Sequence, residues 1–537
     1  MHEEIGVPSS LPLVLERPGS TSGPLVRRPF TKASEAVSSE AALLYFVIGS
    51  TAAVCAISAI QPKAVLFALS LMISALWRKR LRHDPYTLVS PVMLLNLVLI
   101  MTYGFPAILA AFDLADLNLF IRASDEDYVG MSLNLATMSW LAFSFGWLLV
   151  IVSGSRVGRN SSPVTTTAAF VTQPAMGRLA CVLLIAWLVG PAIALAVLGA
   201  TPMAYRETAN WGTTPSSFAM ILDYLNTVGY GGVVLFVAMP SSMARRYSLK
   251  PLFLLGLAIH VLFIMGGGAK LPIILLLLSI AMGFEIYAVS GQGSRRSLRI
   301  AYLTMFLGGA FAFQVIGPYR VLANRAFAAG LPQNPVERVR AQVGIFSDAV
   351  LVMVGSADSE EIRRTADVAT KRLSSLSALC RVLGFLGGTP AYDNIRTIPL
   401  VPLYAILPRD MVETKVTYIQ SGDFAHLNGW KFGGLSVTLP GSLYWTAGYA
   451  GVIVGFVFYG ILYSWMWRRA LSHRRNAGVY MVFSILIGLL LWEPGWDAMI
   501  ISSERYAIIL FGIYAIVSIG RIPLSPGNGD ITLASRP

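Results

Sequence analysis

Apolar residues run along this chain in long blocks separated by short polar segments. Twelve blocks fall at about residues 41–60, 64–77, 88–112, 130–152, 179–200, 217–240, 251–265, 271–289, 300–316, 441–465, 477–493 and 505–520. A helix that crosses a bilayer needs roughly 20 apolar residues, so these blocks predict an all-α integral membrane protein with about 12 transmembrane helices. The second block is only 14 residues long, and a re-entrant segment is the alternative there.

The polar segments divide the chain into regions. Residues 1–40 are rich in Pro, Ser and Gly without a signal-peptide core, which predicts a disordered cytoplasmic tail. Transmembrane helices 1–9 follow in 41–316, one large loop in 317–440, helices 10–12 in 441–521 and a second cytoplasmic tail in 522–537. The large loop between helices 9 and 10 is expected to be partly helical and to lie on the outer side of the membrane.

The distribution of charge predicts this orientation. Tails and inner loops hold 23 Lys and Arg, short outer loops 5 and the large loop 13, which together account for all 41. Basic residues in short loops favour the cytoplasmic side, so both termini are expected there. The same loops explain the net charge of +13, and no nucleic-acid partner is expected. Hydrophobic residues form 55% of the chain and charged residues 13%, which excludes an ordinary soluble protein.

Parts of the large loop show helical spacing of apolar residues. Residues 335–353 have this spacing, and so do residues 360–386, where leucines recur at three or four residues: Leu373, Leu376, Leu379, Leu383 and Leu386. We expect amphipathic helices that lie on the bundle or at the membrane surface. Gly387 and Gly388 then predict a break.

Polar groups are concentrated in residues 399–443, where seven charged or histidine residues fall within 23 positions: Arg409, Asp410, Glu413, Lys415, Asp423, His426 and Lys431. The three cysteines are far apart and offer neither a disulfide framework nor a metal motif. No nucleotide-binding glycine loop, zinc motif or Ser-His-Asp signature is found at a credible place. No cofactor and no metal are therefore expected.

Three motifs resemble those of Wzy-type O-antigen and exopolysaccharide repeat-unit polymerases. Pro408-Arg409 followed by Lys415 is similar to the Pro-Arg-x-x-x-x-x-Lys element of their large outer loop. Pro440-Gly441 followed by Gly448, Gly451 and Gly455 resembles their glycine-spaced helix after the loop, and the tip 266–270, ending in Lys270, resembles their Gly-Gly-x-basic hairpin. The resemblance covers roughly residues 250–520.

This resemblance implies a glycosyltransferase of the bacterial inner membrane that polymerises undecaprenyl-diphosphate-linked oligosaccharide repeat units at the periplasmic face. Its substrate would be the polyprenyl-diphosphate-linked oligosaccharide, held in the lipid bilayer without a metal. A chain-length regulator and a flippase are the implied protein partners. The alternatives are an O-antigen ligase, which shares the layout and donor, and a polysaccharide-lipid transporter or flippase, for which repeated halves are expected. A non-catalytic assembly scaffold is a third possibility.

Such chemistry needs fixed cations for the diphosphate and a base for the attacking hydroxyl. Arginine suits the first role because its planar fork binds two phosphate oxygens. The candidates for diphosphate binding are Arg409, Lys415, Arg505, Lys270 and Arg320, and those for the base are Asp423, His426 and Glu413.

Each candidate also has a purely structural interpretation. Arg505 is predicted at the outer start of the last block, where an arginine side chain can simply extend to the membrane interface. Its neighbour Glu504 is a possible ion-pair partner. Arg320 follows the Gly317-Pro318 pair, which predicts a break at the end of helix 9. A lone histidine such as His426 is more often structural than catalytic.

Several residues outside the candidate set are expected to have structural roles. Asp223 and Glu285 fall within or at the ends of blocks, where structural pairing is expected because a buried charge usually has a partner. Five aromatic residues are expected to be interfacial anchors: Trp430, Tyr444, Trp445, Trp492 and Trp496.

Overall fold

The computed structural model describes residues 30–80, 86–112, 127–153, 171–197, 217–267, 271–327, 332, 334–354, 375–392, 401–406, 424, 437–471, 476–492 and 495–519. Within these ranges the regular secondary structure is helical. Nine helices of the described part are long and apolar enough to cross a membrane. The prediction of an all-α membrane protein is therefore confirmed.

The helices follow one another in chain order. They are α1 (Phe30–Ala56), α2 (Ile60–Arg80), α3 (Pro91–Leu99), α4 (Phe105–Ala111), α5 (Val129–Ser153), α6 (Pro174–Val197), α7 (Ser217–Ala238), α8 (Ser241–Arg246), α9 (Leu249–Gly267), α10 (Leu271–Val289), α11 (Arg295–Ala326), α12 (Pro335–Val354), α13 (Ser375–Phe385), α14 (Val401–Ile406), α15 (Leu439–Ala470), α16 (Ala477–Gly488) and α17 (Trp496–Ile519). A π-helical turn, Ile100–Gly104, joins α3 to α4, and a 3-10 turn, Leu489–Trp492, follows α16.

Each of the twelve apolar blocks coincides with a helix or a helix pair. The third block is the continuous run α3, π-turn and α4. The second block is longer than its apolar residues suggest, because α2 extends over 21 residues from Ile60 to Arg80. That length is sufficient for a full crossing, so the re-entrant alternative is not needed.

Helix α11 differs from the prediction that the ninth block ends at residue 316. It continues through Gly317 and Pro318 as far as Ala326. Its extension packs against α12 in a separate small core, which includes Tyr319 and Ala323 from α11 and Ala349 from α12. The contacts offset the backbone hydrogen bond that Pro318 removes. Helix α12 itself confirms the helix predicted over 335–353.

Helices α5 and α15 pack closely against each other. Gly146 of α5 faces the backbone of α15 so closely that a Cβ atom there would collide with the carbonyl oxygen of Val457. Gly460 of α15 is the reciprocal position, since its Cβ would collide with the carbonyl oxygen of Phe143. Small residues let membrane helices approach in this way. The two glycines thus fix the distance between these helices.

Glu285 of α10 holds the backbone turn that precedes α3. Its carboxylate accepts hydrogen bonds from the backbone N–H groups of Thr87, of Leu88 at 2.8 Å and of Val89 at 2.9 Å. The hydroxyl of Tyr302 donates a further bond at 2.9 Å. The expected structural pairing of Glu285 is confirmed, although its partners are neutral donors rather than a basic side chain. Hydrogen bonds from several donors compensate a buried carboxylate.

Candidate functional site

The stripe of leucines predicted in the large loop forms a buried helix face. Leu376, Leu379 and Leu383 of α13 are fully buried in the main core, and Leu386 is partly buried against it. Leu373 lies outside the described residues. This helix packs against α5 and α15. The prediction of an amphipathic helix on the bundle is confirmed for these residues. Because α13 packs against α15, the turn that follows α13 lies beside the start of α15.

Two glycines end α13 in the way that the sequence predicts. Gly387 and Gly388 have φ angles of +60° and +75°. The N–H of Gly388 donates to the carbonyl oxygen of Leu383 at 2.9 Å. The N–H of Gly387 donates to the carbonyl oxygen of Gly384 at 3.1 Å. This pair of bonds is the Schellman motif, in which a left-handed residue closes the helix. The chain therefore turns sharply toward Pro390.

Helix α15 is broken near its beginning. Ala447 and Gly448 have non-helical angles, and Gly448 adopts φ 62° with ψ −153°. That region of backbone space is essentially restricted to glycine. The break separates a short segment, residues 439–446, from a long segment, residues 449–470. We call these the short and long segments of α15.

The short segment folds back across the start of the long segment. A Cβ atom on Gly451 would lie 2.5 Å from the carbonyl oxygen of Leu443, and one on Gly455 would lie 2.7 Å from the side chain of the same leucine. In a continuous helix, residues 443 and 455 would be about 18 Å apart along the axis. The glycine spacing seen in the sequence thus gives room for a reversed helical segment.

Trp496 fastens the short segment to α17. Its backbone N–H donates to the hydroxyl of Ser442 at 3.1 Å, and its indole N–H donates to the hydroxyl of Thr446 at 2.9 Å. The start of the short segment is capped by Thr438, whose hydroxyl accepts from the N–H of Gly441 at 3.2 Å. Both ends of the short segment are therefore held by hydrogen bonds.

The turn after α13 packs against the break. The hydroxyl of Tyr444 donates to the carbonyl oxygen of Gly388 at 2.6 Å. The backbone N–H of Tyr392 donates to the carbonyl oxygen of Trp445 at 3.1 Å. Tyr444, Trp445 and Trp496 are all at most 5% exposed. The prediction that they are interfacial anchors is wrong, because hydrogen bonds and packing place them inside the protein. We call the contact region of α13, the short segment and the start of α17 the junction.

Phe424 connects the large loop to the junction. Its ring centroid lies 5.8 Å from that of Phe385 and 6.1 Å from that of Trp445, both in edge-to-face arrangements. Phe424 is 1% exposed. Aromatic pairs in this geometry attract beyond their hydrophobic contact. The loop is therefore attached to the junction at a point between Asp423 and His426 in the sequence.

Arg505 lies within α17, one of the helices that are long and apolar enough to cross a membrane. Because α17 begins at Trp496, Arg505 is nine residues into it, about 13 Å along the axis. The expectation that Arg505 begins the last span is therefore wrong, because the helix begins nine residues earlier. Its guanidinium carbon lies 4.8 Å from the ring centroid of Tyr224, which also packs edge-to-face against Tyr506. Its neighbour Glu504 attracts it electrostatically, while one Glu504 carboxylate oxygen is buried without a hydrogen bond.

Lys63 is a buried cation that sequence reasoning did not select. It lies near the start of α2 and is 4% exposed. Its ammonium donates to the side-chain oxygen of Asn134 at 2.9 Å and to the carbonyl oxygen of Gly130 at 3.5 Å. A basic residue within a span is a candidate for function. A lone lysine between two apolar blocks was the available signal, but its partner is 71 positions away.

Most of the predicted site residues lie outside the described residues: Arg409, Glu413, Lys415, Asp423, His426 and Lys270. Arg320 is on the described part of α11, but its side chain is not among those described, and the same holds for Asp223 on α7. The helix at Arg320 continues, contrary to the predicted break. In the described part of the chain, no group of three His, Cys, Asp or Glu residues is placed to bind a metal ion.

Comparison with known proteins identifies no relative. No protein-family model matches the chain, and neither curated proteins nor solved structures show a significant match.

Proposed function

We propose that the chain is a membrane glycosyltransferase that polymerises undecaprenyl-diphosphate-linked oligosaccharide repeat units into O-antigen or exopolysaccharide. In this proposal twelve helices cross a bacterial inner membrane, both termini are cytoplasmic, and the large loop between helices 9 and 10 works in the periplasm. A flippase supplies the lipid-linked repeat, and a chain-length regulator limits the product. The observation that carries the proposal is the junction, from which α17 leads to an arginine inside the membrane.

Arg505 supports a lipid-linked anionic substrate. A charged side chain in the hydrocarbon region is costly, and such residues commonly line a path for an ion or substrate. The face of Tyr224 lies against this cation, and a cation held at a fixed position inside a helix bundle is suited to an anionic group. A diphosphate is a suitable anion, since the guanidinium binds two of its oxygens at once. Its polyprenyl chain would occupy the apolar space between helices.

Two candidate groups of the loop are linked to the junction by short stretches of chain. Asp423 directly precedes Phe424, and consecutive Cα atoms are about 3.8 Å apart. Arg409 follows the last residue of α14, Ile406, by three positions, and α14 packs against α17, which carries Arg505. These connections favour a common site for the loop groups and Arg505.

The proposed reaction transfers the growing glycan to a fresh repeat unit. The hydroxyl of the end sugar of that repeat attacks the anomeric carbon of the glycan. A new glycosidic bond forms while the bond from this carbon to the diphosphate oxygen breaks, and undecaprenyl diphosphate leaves with an additional negative charge. Asp423, His426 or Glu413 accepts the hydroxyl proton. Arg409, Arg505, Lys415, Lys270 and Arg320 are proposed to stabilise the diphosphate.

The test uses purified protein in nanodiscs with a synthetic undecaprenyl-diphosphate oligosaccharide. We expect a ladder of products spaced by whole repeat units. Arg505→Gln should slow its formation at least about tenfold, because a charge-assisted contact to the diphosphate is lost. Arg505→Lys should retain part of the rate. Arg296→Gln is the matched control, since this exposed arginine lies at the start of α11. No ladder from folded protein given its native repeat unit would overturn the proposal.

The broken helix also favours a second candidate, a lipid-linked glycan flippase. Transporters commonly form their substrate sites at discontinuous helices, and α15 is discontinuous at Ala447 and Gly448. The same nanodisc assay, repeated in liposomes, separates the candidates. Translocation of the lipid without new glycosidic bonds identifies the flippase. Transfer of the glycan to a different lipid acceptor, without a ladder, identifies the O-antigen ligase.

A further inference from the structure

Lys63 lies beside the junction, at the end of the bundle that is expected to face outward. It belongs to the first turn of α2, and the charge distribution predicts the outer side for the beginning of this helix. Its two acceptors are on the first two turns of α5. The same part of α5 contacts α13, since the hydroxyl of Ser132 lies 3.2 Å from the thiol sulfur of Cys380. The beginning of α5 therefore connects Lys63 to the junction.

The positive charge of Lys63 is not balanced by a carboxylate. Its acceptors, the side-chain oxygen of Asn134 and the carbonyl oxygen of Gly130, are both neutral groups. Within the described residues, no carboxylate lies at ion-pair distance from its ammonium. An ammonium has three N–H donors, and the contact with Gly130 is long at 3.5 Å. Lys63 therefore offers a positive charge and at least one N–H donor to a further acceptor.

The ammonium of Lys63 lies near the surface of the bundle. The side chain is 4% exposed, but neither of its two hydrogen bonds is fully buried. Cys55 on the last turn of α1 is exposed and is close enough to the ammonium to interact with it electrostatically. An anionic group that approaches the outer end of α1 and α2 can therefore reach this cation.

The reaction proposed above requires two lipid-linked diphosphates at the same time. One belongs to the growing glycan and the other to the fresh repeat unit. Two anionic groups repel each other, so each is held better by a cation of its own. Arg505 lies against Tyr224 of α7, whereas Lys63 is bonded to α5. Helix α15 contacts both α5 and α17, which carries Arg505, so the two cations belong to different neighbours of the broken helix.

We propose that Lys63 binds the diphosphate of one lipid-linked substrate while Arg505 binds that of the other. Lysine binds phosphate as a point charge, and an ionisable residue within a membrane bundle commonly marks the path of a substrate. This inference rests on the proposed function, because that function supplies the polyprenyl diphosphate as the anion. It adds that one chain has two separate sites for this lipid.

The test counts the lipid molecules that bind to the full-length protein, by native mass spectrometry in detergent. The probe is undecaprenyl diphosphate, which carries no sugar and needs no turnover, and phosphatidylcholine is the lipid control. Lys63→Gln removes the charge, whereas Lys63→Arg keeps it. Lys79→Gln is the matched control, because Lys79 is an exposed lysine at the other end of the same helix.

A fourth variant separates lipid binding from a purely structural role. Lys63→Met combined with Asn134→Leu replaces both polar partners by apolar groups, which is close to neutral for stability. We expect this double variant to unfold at nearly the same temperature as the unaltered protein and still to bind the lipid weakly. Recovery of lipid binding in the double variant would mean that Lys63 acts only through the structure, and the inference would be overturned.

We expect two undecaprenyl diphosphate molecules to bind to the unaltered protein and to Lys63→Arg. Lys63→Gln should weaken one binding event about tenfold, and Arg505→Gln the other. The inference is overturned if Lys63→Gln binds both lipids with unchanged affinity, if the unaltered protein binds only one, or if Lys79→Gln loses as much affinity as Lys63→Gln. Binding of two lipids with this variant dependence, but without a product ladder in the nanodisc assay, would retain the inference and overturn the proposed polymerase activity instead.

Discussion

The strained glycine at the break of α15 gives a quantitative test of the junction. Gly448 has φ 62° and ψ −153°, a conformation that costs a residue with a side chain about 1–3 kcal/mol. A Cβ atom there would also lie 3.2 Å from Cγ of Pro390, which is tighter than ordinary contact. We therefore expect Gly448→Ala to lower the free energy of unfolding by an amount in the upper half of that range. The upper limit corresponds to roughly a 150-fold change in the folding equilibrium.

The measurement is reversible unfolding in mixed micelles titrated with SDS and followed by tryptophan fluorescence. Gly512→Ala in α17 is the matched control, because nothing lies within 4 Å of its added Cβ. Alanine is a better helix former than glycine, so this control should be neutral or stabilising. Pro390→Gly, combined with Gly448→Ala, removes the steric contact and should leave the backbone cost. The reasoning is refuted if Gly448→Ala and Gly512→Ala have the same stability.

Three further predictions use the same unfolding titration. Gly146→Ala and Gly460→Ala should each lower the free energy of unfolding by about 1–3 kcal/mol, because each forces α5 and α15 apart. The double variant should lose less than the sum of the two single losses, and strict additivity would contradict a shared contact. Trp496→Phe should cost about 0.5–1.5 kcal/mol through the lost indole hydrogen bond, and no change would show that this bond does not hold the short segment. Glu285→Gln should cost about 1.5–3 kcal/mol, because a neutral amide accepts less strongly from three N–H donors. Glu504→Gln, expected to change stability by less, is its control, and equal effects would argue against the special role of Glu285.

The fold was largely predictable because the signals that specify it are local. A helix in a bilayer must satisfy its own backbone hydrogen bonds, so apolar blocks of sufficient length become helices wherever they occur. The same holds for α13, whose leucine spacing predicted the buried face and whose two glycines predicted the end. The extension of α11 beyond Pro318 was missed, because its stability comes from packing against α12.

The candidate site was less predictable, because its contacts join distant parts of the chain. The spacing of the glycines at 448, 451 and 455 was recognised as a pattern. That spacing alone does not predict that a short segment reverses direction there. Lys63 was passed over, since its acceptor on Asn134 belongs to another helix. Trp496 was interpreted as an interfacial anchor because an aromatic residue at a helix end is usually one. Only the positions of Ser442 and Thr446 reveal its structural role.

The sequence by itself determined the class of the protein and the positions of its apolar helices. These properties depend on composition and on spacing within a single segment. Only the tertiary structure decided that the short segment of α15 folds back, that Trp496 bonds to Ser442 and Thr446, and that Lys63 is buried against α5. Such features arise where side chains from separate helices meet, and the energy of those contacts depends on distances that no single segment encodes.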